Sequence, residues 1–173
     1  MKKKNVKLYN VIFPIWLLWL FPVTWIVILP ANFIVDLIVI VLTLKILKVQ
    51  NIKSITKSIV LKVWLFGFLS DFIGTALMFL SNVIDFEYNT PMGQWWYNNI
   101  TNAVSFNPYK SIFAVIWVTL CVVIAAVFIY IFNYKVVLKK VDLEDSKKKR
   151  LALSLAIFTA PYTFFIPTMW FYR

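Results

Sequence analysis

Apolar positions in this chain fall in long unbroken runs. They show neither the alternation of a half-buried strand nor the single stripe of a soluble amphipathic helix. The runs cover about residues 9–29, 33–47, 60–82, 111–134 and 151–172. Hydrocarbon cannot hydrogen-bond a peptide group, so an uncharged apolar run of about 20 residues reads as a membrane-spanning helix. The pattern predicts an all-α, polytopic integral membrane bundle of five transmembrane helices, forming a single domain over residues 1–173.

Between the first two runs stand Leu29, Pro30, Ala31 and Asn32. Proline cannot continue a helix and asparagine can cap the next one, so a tight helical hairpin is expected there. The run 33–47 would make only about 22 Å of helix, short of a roughly 30 Å core. A full crossing is still preferred to a re-entrant loop, because it places Lys45, Lys48, Lys53, Lys57 and Lys62 on the side of Lys2, Lys3, Lys4 and Lys7. Residues 49–58 are amphipathic, with Ile52, Ile55 and Ile59 on one face and Lys53 and Lys57 opposite. They fit either a helix on the inner membrane surface or an inner extension of the next span.

The connection 83–110 is rich in rings, among them Trp95, Trp96, Tyr97 and Tyr109, which favour the membrane–water interface. It is expected along the outer surface. Pro161 and Pro167 should kink or loosen the last run near its outer end.

Charge then orients the bundle. Of 18 Lys and Arg, all but Lys110 and Arg173 fall in segments that this topology places on one side. The positive-inside rule makes that side cytoplasmic, with the N-terminus in the cytoplasm and the C-terminus outside. The Ile-, Lys-, Asn- and Phe-rich composition points to a bacterial cell membrane. Although the net charge is +11, the basic residues flank hydrophobic runs, where they meet anionic lipid at the cytoplasmic face. Nucleic acid is not an expected partner; a membrane-protein partner or a second copy of the chain is.

Composition also limits the chemistry. There is no histidine, and the single cysteine, Cys121, lies mid-run, which excludes an intramolecular disulfide and a CxxC or zinc-type motif. No catalytic constellation, cofactor motif or metal-ligand spacing is recognisable, and a non-enzymatic role is expected.

Two carboxylates, Asp36 and Asp71, interrupt otherwise apolar runs. An aspartate at a span centre costs about 2.5–3.5 kcal/mol on insertion scales, so such residues need a compensating environment. Asn32, Asp36 and Thr43 share one helical side. In the next span Gly67, Ser70, Asp71, Gly74, Thr75, Met78, Ser81 and Asn82 share a face, opposite Phe68, Leu69, Phe72, Ile73, Ala76, Phe79 and Leu80. The small residues should admit a neighbouring helix, with the phenylalanines toward lipid. Measured from Lys48 and Lys62, Asp36 and Asp71 lie about 18 Å and about 14 Å deep at 1.5 Å per residue. At those depths they can meet, and a close pair would share a proton or hold a cation, since adjacent carboxylates resist joint ionisation.

The candidate site is therefore Asp71, Asp36, Ser70, Thr75, Asn32 and Thr43, handling a proton, a cation or a small polar solute. Against transport stand two further readings. In one, an accessory, regulatory or immunity-type subunit uses the polar stripe to bind a partner helix. In the other, an intramembrane hydrolase uses the two aspartates.

Overall fold

The computed structural model describes residues 22–84 and 86–171, with side chains from Trp25 onward. Every regular element among them is helical. In order these are α1 (Pro22–Ile46), α2 (Ile52–Val83), α3 (Pro91–Trp96), α4 (Asn102–Phe106), α5 (Ile112–Phe132) and α6 (Asp145–Phe158). A π-helical segment, Tyr97–Thr101, fuses α3 to α4, and another, Asn133–Val137, prolongs α5. Among the described residues three helices are long and apolar enough to cross a membrane: Trp25–Ile46 (22 residues), Ile52–Val83 (32 residues) and Ile112–Val137 (26 residues). They mark a membrane protein, and the expected count of five spans is not confirmed.

The first difference lies at Pro30. No turn forms at Leu29–Asn32, because α1 runs unbroken through Pro30. Proline removes one backbone donor, whereas a turn in hydrocarbon would strand several polar groups, so continuing the helix is the smaller cost. The neighbouring Leu29 carbonyl accepts a bond from the Trp64 indole N–H (3.1 Å), which pins α1 to α2. Asn32 is thus mid-helix and caps nothing. Most of the expected 9–29 span, with Lys2, Lys3, Lys4 and Lys7, lies outside the described residues, as does Arg173.

α1 and α2 are joined by a tight reversal. Lys48 adopts φ 51° and Asn51 φ 57°, the left-handed region that glycine and asparagine favour. The Val49 N–H reaches the Leu44 carbonyl (3.1 Å) and the Lys48 N–H the Lys45 carbonyl (3.1 Å), the paired bonds of a Schellman ending. The amphipathic stretch 52–58 is the continuous first part of α2. Ile59 is buried and Ile52 and Ile55 pack against the core, so this face meets protein.

Two hydrophobic clusters hold the bundle. One gathers Ile40 and Leu44 from α1, Ile59 and Val63 from α2, Ile129 from α5, Val137 and Leu138 beyond it, and Leu151 and Leu155 from α6. The other joins Met78 of α2, Ile100, Ala103 and Val104 of the α3–α4 element, Ala114, Val118 and Cys121 of α5, and Phe164. Lys45, Lys48, Lys53, Lys139, Lys140 and Lys147–Arg150 flank the first cluster in the chain, so the basic residues collect at one end.

α3 and α4 close the opposite end. Their attachment uses the outer half of the polar stripe of α2: the Thr101 hydroxyl donates to the Ser81 carbonyl (2.8 Å) and the Ser105 hydroxyl to Asn82 Oδ1 (3.1 Å). Trp95 meets Phe113 edge-on with centroids 4.9 Å apart, and Trp96 meets Trp117 at 6.0 Å. The rings of this connection therefore pack largely on one another and on α5.

The expected span 151–172 is not one helix. α6 stops at Phe158, ahead of Pro161, and 3-10 turns follow at Tyr162–Phe165 and Thr168–Trp170. Pro161 has no N–H and its ring would meet the carbonyl four residues back, so the expected loosening is a full break. Helix α6 measures only about 21 Å at 1.5 Å per residue. The segment nevertheless extends from one cluster to the other: Leu155 packs in the first and Phe164 in the second, and Asn107 Nδ2 bonds Met169 Sδ (3.3 Å).

Candidate functional site

The two intramembrane carboxylates share one cavity. Along α1, Asn32, Val35 and Asp36 repeat at three and four residues; along α2, Trp64, Gly67, Phe68 and Asp71 do the same. The two stripes face each other, and Phe158, Thr159 and Ala160 close the third side where α6 ends. The cavity is open on one side and has a volume of about 120 Å3.

Gly67 faces the acid from α1. A Cβ built there would lie 3.8 Å from Asp36 Oδ2, an ordinary van der Waals contact, so this carboxylate sits against α2 one turn from Asp71. Asp36 is 5% exposed, and no hydrogen bond or ion pair engages its side chain among the described residues. Asp71 is half-buried, with Oδ1 enclosed and lacking a hydrogen-bond partner. Among the described residues no basic side chain lines the cavity. Because α6 ends here, the negative end of its dipole adds to the acidic field.

Trp64 forms the aromatic wall. Its indole is fixed by the bond to Leu29 and by edge-on contacts with Phe68 (5.3 Å) and Phe33 (6.2 Å). Asp71 also borders a larger groove of about 540 Å3 that runs between the α1–α2 pair and the segment 159–166. Asn32, Phe68, Thr159 and Ala160 line both spaces, so the two adjoin.

Of the residues expected from sequence, Asn32, Asp36 and Asp71 are brought together. Thr75 lines the adjoining groove, but its hydroxyl donates to the Asp71 backbone carbonyl (2.9 Å). Ser70 is buried away from the cavity and donates to the Phe66 carbonyl (2.8 Å). Such bonds to the preceding turn satisfy a hydroxyl inside its own helix. Thr43 lies two turns from Asp36 in a separate groove between α1 and α6, beside Arg150 and Ser154.

Sequence reasoning missed Trp64 and the α6 terminus, and it assigned Phe68 to the lipid side, whereas Phe68 is half-buried and lines the cavity. Spacing alone could have found Trp64, which lies seven residues before Asp71 on the same helical side. The arrival of residues 158–160 depends on the break before Pro161 and had no periodic signal.

Chemically, the site offers carboxylate, amide and hydroxyl oxygens, a hard donor set. Among the described residues no group of three or more His, Cys, Asp or Glu is positioned to hold a metal. No protein-family model matches the chain, and neither curated proteins nor solved structures yield a match.

Proposed function

We propose that this protein is a small transport-type membrane protein whose Asp36–Asp71 cavity takes up a proton, a cation or a small polar solute, with a cation or proton favoured. The observation that carries this reading is the pair of acids, one from each of two apolar helices, in one cavity whose lining among the described residues includes no basic side chain. Two carboxylates in a low-dielectric space repel each other, and a proton or cation between them relieves that repulsion. A purely structural role would leave unexplained why the buried Asp71 Oδ1 has no hydrogen-bonding partner among the described residues, since buried polar groups are ordinarily satisfied.

Topology belongs to the same proposal. The basic end, carrying Lys45, Lys48, Lys139, Lys140 and Lys147–Arg150, faces a bacterial cytoplasm and meets anionic lipid there. The N-terminal lysines join it, and the segment 145–171 carries the chain outward toward an external C-terminus. Its irregular part is tolerated because it packs on protein.

The test is reconstitution of the full chain into sealed liposomes. Proton, alkali-cation or ammonium movement above that of protein-free liposomes supports the proposal. A tight lipid bilayer with no flux of any of these, together with co-purification of one larger membrane protein, would replace it with the accessory reading.

A further inference from the structure

The acidic cavity and the adjoining groove differ in chemistry in a way that narrows the ligand. The cavity of about 120 Å3 holds both carboxylates, whereas the groove of about 540 Å3 is lined by apolar groups such as Val27, Ile28, Ala31, Phe72 and Phe164. Asp71 stands at the boundary and contributes to both. A bare alkali ion needs a full shell of oxygen donors, but much of the cavity wall is the Trp64 indole, the Phe68 ring, Val35 and Ala160. An ammonium group suits this mixed lining better. Its N–H donors meet the unpartnered Asp71 Oδ1 and the Asp36 carboxylate across the cavity, and its positive charge is attracted to the aromatic wall. The groove then accommodates an apolar body that the cavity is too small to hold.

We propose that the site binds an amphipathic organic amine, with the ammonium group between Asp36 and Asp71 and the hydrocarbon part in the groove between α1, α2 and residues 159–166. This rests on the cation reading above and specifies its substrate class. Because Val27 and Phe72 at the groove are exposed on apolar helices, such an amine would enter from the lipid phase.

The experiment uses the full chain in phosphatidylcholine nanodiscs, titrated calorimetrically with methylammonium, hexylammonium, hexanol, sodium and potassium against empty nanodiscs. Hexylammonium is expected to bind at least about tenfold more tightly than methylammonium, since burying methylenes is favourable. Hexanol should show no protein-dependent binding. Asp71→Asn should abolish hexylammonium binding, and Ala31→Phe, which narrows the groove, should reduce the preference for the longer amine toward unity. Equal affinity for the two amines, equal binding of hexanol, or binding confined to sodium, potassium or protons would overturn the amine assignment and leave the cation reading standing. Absence of binding by every cation, with the protein folded, would remove both.

Discussion

At the scale of single residues, the chain separates charges that need a partner from charges that have one. Asp145 is exposed and accepts from the Tyr134 hydroxyl (2.9 Å) while pairing with Lys149 (2.8 Å), whose Nζ also lies 5.7 Å from the centre of the Tyr134 ring. The Lys149 ammonium and then the Tyr134 hydroxyl hold the Asp145 carboxyl below its ordinary value. This lowered value ties the contact to pH: it is intact above the ordinary carboxylate range and is lost as pH falls through the lowered value. Carbon NMR of Asp145 should show titration below the ordinary carboxylate range, and Lys149→Ala should move it upward. An unchanged titration in the variant would mean that the pair does not persist in the membrane. By contrast, Asp36 and Asp71 have no such companions, which is why they define the site. Their depth was legible in sequence because an acid inside an apolar run is conspicuous. Helical side alone does not place a polar residue in the cavity: Ser70 satisfies its hydroxyl on the Phe66 carbonyl, and Thr43 lines a different groove.

At the scale of elements, the faces of α2 follow its sequence closely. Ser70, Gly74, Thr75, Met78 and Ser81 are buried, while Leu69, Phe72, Phe79 and Leu80 are exposed on the surface. Gly74 marks a close approach to α5 and to Phe164: an added Cβ would lie 3.0 Å from Phe164 Cε2 and 3.1 Å from Ala125 Cβ. Gly74→Leu should therefore lower folded yield severely, with a cost of at least about 1–3 kcal/mol from overpacking, whereas Ala76→Leu should be tolerated. Equal yields of monodisperse protein would show that the face assignment is wrong. The α1 boundary was misread because proline ends helices in water, where freed carbonyls find solvent; inside a bundle one missing donor is tolerated. Hydrogen exchange should thus find the amides of Ala31–Phe33 as protected as those of Val39–Val41. Rapid exchange confined to 31–33 would restore the turn.

At the scale of the whole molecule, composition and run length established the membrane class and the helical class, and the grouping of lysines at one end follows from chain order alone. The number of traversing helices did not follow, because a run of apolar residues specifies burial in lipid or protein without specifying regular helix. Residues 159–171 illustrate this: they are apolar like a span, yet Pro161 and Pro167 turn them into 3-10 pieces packed on α4 and α5. For orientation, an alkaline phosphatase reporter inserted within Ser146–Arg150 should be inactive and one fused after Arg173 active, because the first lies at the basic end. The opposite result would invert the proposed topology.

All three scales converge on the cavity between α1, α2 and the end of α6, and its carboxylates are the central claim. The most direct measurement is cation or proton flux by liposomes carrying equal amounts of folded wild type, Asp71→Asn, Asp36→Asn and Ser70→Ala. An amide matches the carboxylate in shape and removes only its charge and proton chemistry. The account predicts that Asp71→Asn abolishes flux, that Asp36→Asn lowers it by about tenfold or more, equivalent to losing one charge-assisted contact, and that Ser70→Ala transports normally. Full activity of Asp71→Asn would contradict it, reducing the acid to a structural residue.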